Sequence, residues 1–288
     1  MSPGNLPKNR TLGIQVSMSP ASIATTPTMI SIFPRLCIYK TIAFNPYLPS
    51  STLENCPGKL YLLPTVLAPG TASSVLSPQI REVIGKTEHF FVENVRTARR
   101  FISELQIGKP IEGLNFYLLD KDTPLPQTRT HLQVVLQGKD AGILSEAGCP
   151  GVADPGAVAV SLAHQMGISV IPVVGPSSIL LALMASGFSG QSFVFHGYLP
   201  INRAERAKAI RQLEREAKTK RQTQIFMEAP FRNTQLLQDI LHNTQADTML
   251  CIACHLTAPD ELVRTRSIKE WKGQPPDLHK KPTIFLFG

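Results

Sequence analysis

The segment Leu144–Gly156, LSEAGCPGVADPG, holds three glycines and two prolines directly behind an apolar stretch. Neither a helix nor a strand holds that composition, so it reads as a tightly turned loop at the carboxyl end of a strand. Open α/β sheets bind ligands at that edge. Gly148 and Gly151 lack a Cβ and let a ligand approach the backbone, while Glu146 and Asp154 supply negative charge. Asp154, just before Pro155, also stands where a helix cap would. A second segment, Val174–Ser178 (VGPSS), lies between a β-branched stretch and a helical one. Ser177 and Ser178 there are able to bond an anionic or carbonyl group at a helix N-terminus, or simply to cap it. Cys251–His255 spells C-I-A-C-H, the attachment pattern of c-type haem. It falls in an apolar strand candidate with no export signal ahead of it, so buried structural cysteines are the better reading. A zinc site needs about four ligands, which no spacing in the sequence assembles, so no metal is expected. The fingerprints G-x-G-x-x-G and G-x-x-x-x-G-K-[ST] are absent, which disfavours a standard dinucleotide or P-loop enzyme.

The elements that must position these loops alternate. Lys59–Leu63, Glu88–Val92, Asp140–Leu144 and Ser169–Val174 read as strands, the last as a buried one. Gln79–Ile84, Ala98–Leu105, Gly156–Met166 and Ile179–Ala185 have helical spacing. Ser192–Phe195, Thr223–Met227, Thr248–Cys254 and Thr283–Phe287 read as further strands. Ile201–Lys218 reads as a charged helix, and Asn233–Leu241 as a helix capped by Asn233 or Thr234. The alternation predicts an α/β fold with a parallel or mixed sheet. Gly187–Gly190 is the best boundary, giving lobes of residues 58–188 and 189–288, with a ligand expected between them. Residues 1–57 are rich in Ser, Thr and Pro without sustained period and read as a disordered extension.

Of the 288 residues, 43% are apolar, enough for a full core, and the formal charge is +8. Ile201–Arg221 alone carries eight basic and three acidic residues, so the basicity is local. Such a patch either meets a polyanion such as RNA or is a solvated helix face. Five irregularly spaced cysteines make a disulfide framework unexpected. No run of about 20 apolar residues exists, so no membrane span is expected and the setting reads as cytoplasmic.

Four stretches in order, GILSEAGCPGVADPG, VIPVVGPSSILLALMASGF, FHGYLP and FMEAPFRN, resemble the tetrapyrrole methylase superfamily. They are most similar to its branch of ribosomal RNA small-subunit ribose 2′-O-methyltransferases, over essentially Gly58 to Gly288. The resemblance implies two α/β lobes, S-adenosylmethionine in the cleft between them, and a homodimer. It places Pro64, at the end of the first strand, beside the cofactor. It likewise implies that Glu146, Gly148, Cys149, Pro150 and Val152 line the cofactor, that Pro176, Ser177 and Ser178 flank it, and that Met227 closes over the adenosine.

The chain also departs from that branch. The family's Ser-Asp-Ala-Gly is Ser145, Glu146, Ala147 and Gly148 here, and its Glu-Asp-Thr-Arg is Glu93, Asn94, Val95 and Arg96. Its Arg-Glu-Leu-Thr-Lys is Cys254, His255, Leu256, Thr257 and Ala258, with both cations gone. Three functions follow. An RNA methyltransferase predicts a basic cleft rim drawn from Ile201–Arg221. A small-molecule methyltransferase acting on a tetrapyrrole-like ring predicts a roomy, partly apolar cleft. A non-catalytic S-adenosylmethionine-binding protein predicts binding without turnover. Transfer to a hydroxyl needs a base within hydrogen-bond reach, for which Glu93, Glu146 and His255 are the candidates.

Overall fold

The computed structural model describes residues 56–288. The extension expected over 1–57 therefore lies, but for its last two residues, outside the described residues. A first sheet contains β1 (Lys59–Leu63), β2 (His89–Val92), β3 (Asn115–Leu118), β4 (Ala141–Leu144) and β5 (Ser169–Pro172). Its order is β3-β2-β4-β1-β5, and every pairing is parallel. Helices α1 (Ala72–Val75), α2 (Pro78–Lys86), α3 (Val95–Glu104), α4 (Leu125–Leu136) and α5 (Gly156–Gln165) connect its strands. Because side chains alternate along a strand, neighbouring residues feed opposite faces. Phe90 and Val92 pack with Ile80, Ile84 and Ile102, whereas Phe91 packs with Leu132, Val135 and Leu162. Gly142 in β4 leaves room for this packing, since a Cβ there would stand 2.5 Å from Leu63 Cδ1.

A second sheet contains β6 (Phe193–Tyr198), β7 (Thr223–Met227), β8 (Met249–Cys254), β9 (Leu262–Ser267) and β10 (Thr283–Phe287). Its order is β6-β7-β10-β8-β9, parallel between β6 and β7 and antiparallel elsewhere. One face is covered by α7 (Arg203–Lys220), α8 (Asn233–Asn243) and α9 (Ile268–Gly273), around Phe226, Phe285 and Trp271. The other face receives α6 (Ser178–Ser186), whose Ala182 and Leu183 pack with Ile225, Cys251 and Leu286. Thus α6 precedes the Gly187–Gly190 turn in sequence but packs on the sheet that follows it.

Three expectations need correction. Ser169–Val174 is not a buried strand: β5 is the edge of its sheet and stops at Pro172, with Ser169 and Pro172 exposed. Its β-branched content reflects strand propensity without two-sided burial. The strand begun at Ser192–Phe195 runs on to Tyr198 through a register shift. Asn233 is not a cap, because it is the first residue of α8, fully buried, and its Nδ2 donates to the Lys281 carbonyl at 2.6 Å. Cys251 and Cys254 are buried and unbridged, as structural cysteines would be.

Candidate active site

The carboxyl ends of β1, β2, β4, β6 and β7 converge on one cleft of about 350 Å³. The end of β8 and the start of β10, which runs antiparallel to β8, complete it. The first sheet contributes Leu67, Glu93 and the turn Ser145–Ala147 with Val152–Asp154. Ser178 and Ile179 enter from α6, and Tyr198, Met227 and Glu228 from β6 and β7. His255, Leu256 and Pro282–Ile284 form the remaining wall.

The glycine-rich turn is tied to the first loop by several bonds. Thr65 N donates to the Gly148 carbonyl at 3.0 Å, and Ser145 Oγ donates to the same carbonyl at 2.5 Å. Thr65 Oγ1 donates to the Ser145 carbonyl at 3.1 Å. Gly148 has φ +76°, a conformation that favours glycine, and a Cβ would meet Leu67 Cδ2 at 3.2 Å and the Pro176 carbonyl at 3.4 Å. Its side thus faces the junction of three loops. Asp154 Oδ1 accepts from Gly151 N at 2.6 Å and Gly156 N at 2.9 Å, so it closes the turn and starts α5.

Of the residues implicated by resemblance, Glu146, Val152, Ser178 and Met227 line the cleft. Pro64, Gly148, Pro150 and Pro176 are buried behind it. Pro64 packs so closely on Gly175 that a Cβ on that glycine would stand 2.3 Å from Pro64 Cβ. Cys149 Sγ donates to the Pro176 carbonyl at 3.3 Å, and burial followed by the Asp154 charge pushes its thiol pKa up. Ser177 is the N-cap of α6, its Oγ accepting from Leu180 N at 3.5 Å. These six form the support of the cleft wall. Tyr198 and Glu228 fall in the stretches FHGYLP and FMEAPFRN, but neither they nor Pro282–Ile284 were marked as site residues, because their proximity depends on how the second sheet is ordered.

The cleft is rich in carboxylates, and no Lys or Arg lines it among the described residues. Glu146 Oε1 accepts from Thr97 Oγ1 at 2.5 Å. Burial pushes the Glu93 carboxyl pKa up, and the charges of Asp154, Glu146 and Asp120 push in the same direction. Burial also raises Asp154, against the two backbone N–H groups that lower it. Asn94 accepts from Arg96 N at 2.9 Å and Thr97 N at 3.4 Å and caps α3. Asn in place of the family's Asp therefore keeps the cap. Glu228 is buried and paired with Arg232 at 2.6 Å. On the opposite wall His255 has φ +55°, and its Nδ1 stands 2.6 Å from Asp260 Oδ1 without hydrogen-bond alignment. Asp260 also meets Lys281 at 3.2 Å, and that bond, then His255, holds its carboxyl below the usual range. Cys254 and Ala258, at the positions of the family's cations, are buried.

A carboxyl whose folded pKa is raised binds its proton more tightly folded than unfolded. Its ionisation costs stability as pH climbs from the ordinary carboxylate value through the raised one. Glu93→Gln is therefore expected to stabilise the unliganded protein at neutral pH, with the gain vanishing in acid. Urea midpoints of both proteins across the acid-to-neutral range check this; a gain that persists in acid excludes the charge as its cause.

The chain is similar to known methyltransferases in sequence and fold. A ribosomal RNA small subunit methyltransferase I of Pseudomonas aeruginosa is 32% identical over 195 residues, which is 68% of this chain and 66% of that protein. One from Thermotoga maritima is 30% identical over 160 residues, 56% of this chain and 68% of its own length. Among solved structures the methyltransferase CobJ superposes with a TM-score of 0.55 at 16% identity, over 80% of this chain and 94% of that one, which speaks for a common fold. No family model matches the chain.

Proposed function

Since the chain belongs to the ribosomal RNA small subunit methyltransferase I family, within the tetrapyrrole methylase superfamily, we propose that its cleft binds S-adenosylmethionine and serves methyl transfer to small-subunit ribosomal RNA. The carrying observation is the cleft's charge: Glu93, Glu146 and Asp154 converge there, with no lining Lys or Arg among the described residues. That donor set suits a ligand bearing a sulfonium and an ammonium. The apolar wall of Leu67, Ile179, Met227, Leu256 and Ile284 suits an adenine ring, and the volume falls in the range of small-molecule sites. When bound, S-adenosylmethionine supplies an electrophilic methyl group on a positive sulfur, and the protein positions and shields it. Glu146, fixed by Thr97, holds the cationic end. Glu93, with its raised pKa, and His255, beside Asp260, are the groups able to take a proton from an acceptor hydroxyl.

Calorimetric titration with S-adenosylmethionine and S-adenosylhomocysteine tests the cofactor. Labelled methyl incorporation into unmethylated small ribosomal subunits tests the acceptor. Micromolar binding of either ligand supports the first half, and absence of binding to folded protein sinks it. Binding without incorporation would leave a small-molecule acceptor or a non-catalytic role.

We also propose a homodimer. Leu180 and Met184, four residues apart on α6, are 52% and 79% exposed, and Val174 just before the helix is 76% exposed. Adjacent large apolar side chains left in water mark an association surface. Met184→Glu is expected to shift sedimentation from dimer toward monomer at micromolar concentration; a wild-type monomer excludes the proposal.

A further inference from the structure

The acidic cleft raises a difficulty for an RNA acceptor. Phosphate attraction dominates the affinity of proteins for nucleic acid, yet the cleft walls offer carboxylates and no Lys or Arg among the described residues. None of the residues Ile201–Arg221, expected to form a basic rim, lines the cleft. Arg100, in the hollow that shares Ser145 and Glu146 with the cleft, stands 3.8 Å from Glu104, and the larger group of cations lies on α7.

Helix α7 divides its cations into two sets. Arg203 and Arg206 both meet Asp239, at 3.4 and 2.5 Å, and Lys220 meets Glu216 at 3.1 Å. These cations are paired within the fold, and of them only Arg206 is buried. Lys208, Arg211, Arg215 and Lys218 form the other set. At 100° per residue they share a wedge of roughly 80° and run about 15 Å along the helix. All four are exposed. Lys208, Arg211 and Arg215 have no carboxylate within 4.0 Å among the described residues. The Arg211 guanidinium donates to the neutral Asn243 amide at 2.6 Å, which aims it and leaves its charge. Lys218 stands 3.6 Å from both Glu214 and Asp247.

The stripe borders a groove of about 490 Å³ between α7 and the end of α8, lined by Arg211, Arg215, Lys218 and His242. Glu214 in this groove is buried and occupied by Gln245 N at 2.8 Å and the Thr248 hydroxyl, so it opposes an anion weakly. Beyond Lys218, Arg221 continues the positive edge into an adjoining hollow of about 330 Å³. Since β6 ends at the cleft with Tyr198 and α7 starts at Arg203, the helix leads away from the cleft toward these grooves.

We propose that this stripe is a second RNA-binding surface, which grips the sugar-phosphate backbone of a segment remote from the nucleotide in the cleft. It rests on the reading of RNA as the acceptor and adds where the affinity resides. Cleft and stripe divide the work: carboxylates select the cationic cofactor, and α7 supplies the attraction to RNA that those carboxylates oppose. The contacts are to backbone, so the stripe sets affinity and orientation and the cleft sets the target.

The experiment uses the full chain and a fluorescent fragment of small-subunit ribosomal RNA, with binding followed by anisotropy across a potassium chloride series. Three proteins are compared: wild type, the stripe variant Lys208→Gln, Arg211→Gln, Arg215→Gln, Lys218→Gln, and a variant with equal charge loss on the first half of the chain, Lys86→Gln, Arg99→Gln, Lys121→Gln, Arg129→Gln. Each phosphate contact on a single strand contributes about 0.7 to the slope of log affinity against log salt. The stripe variant is expected to lose about 2–3 from that slope and at least tenfold in affinity near physiological salt, with the matched variant close to wild type. Equal losses in the two variants would show a net-charge effect and overturn the proposal. So would a stripe variant that binds like wild type, or a wild type that binds no RNA. Titration with S-adenosylmethionine separates this from the cofactor reading: the stripe variant is expected to bind it as wild type does, and absence of binding in wild type refutes the cofactor while the RNA comparison still judges the stripe.

Discussion

Arg206→Ala is expected to destabilise the protein by about 3–5 kcal/mol, because it strands a buried carboxylate. Arg206 is 7% exposed and Asp239 2% exposed. The guanidinium donates through Nε and Nη2 to Asp239 Oδ2 at 2.8 and 2.5 Å, and through Nη1 to the Ile201 carbonyl at 2.8 Å. One side chain thus joins α7, α8 and the turn that follows the cleft-lining Tyr198. Removing it leaves Asp239 with Gln235 at 3.2 Å and the longer contact to Arg203. Arg206→Met together with Asp239→Leu should recover much of the loss, since a buried pair is often replaceable by apolar residues of like volume. Urea denaturation of the single and double variants decides this: a loss under 1 kcal/mol in Arg206→Ala would mean that Arg203 or water takes over the carboxylate.

Glu146→Lys is expected to weaken S-adenosylmethionine binding at least a hundredfold, which is about 2.7 kcal/mol. The side chain is exposed at the cleft wall, so the variant should fold. It exchanges a carboxylate, held by Thr97, for a cation facing a cationic ligand. S-adenosylhomocysteine lacks the sulfonium charge, so its affinity should fall less. The difference between the two ligands is the informative quantity in calorimetry. An equal fall would point to steric exclusion, and no fall for either would remove Glu146 from the site.

The strand-then-turn pattern was legible in several apolar runs that end near glycine or proline, though not at Ser169–Val174, where β5 stops at Pro172. β1, β7 and β10 have the expected limits, and the LSEAGCPGVADPG turn lies at a strand's carboxyl end as its composition demands. Among the elements the sequence pattern did not point to are two short helices, α1 and α9, and three further segments with weak or unusual patterns. β3 has four residues at an edge, α4 opens on Leu-Pro with little amphipathic contrast, and β9 alternates arginines with Val263 and Thr265. Most residues of β9 are partly buried, however, so its burial does not follow a clean period of two. At the site, resemblance named loops more reliably than surfaces. Whether a loop residue faces a ligand or supports a neighbouring loop depends on backbone direction, as Gly148 and Ser177 show. The carboxylates of the cleft come from strands far apart in sequence, so their convergence needs the sheet order.

That order also constrains how the chain is made. The first sheet has all its strands once Pro172 is synthesised. In the second, β10 lies between β7 and β8 although it is translated after both. Until Thr283–Phe287 leave the ribosome, β7 and β8 each present an unpaired edge, and Phe226 lacks its stacking partner Phe285. Open apolar edges invite pairing with other chains. Premature termination a few codons before residue 283 would thus yield a finished first sheet carrying an adhesive, unfinished second one.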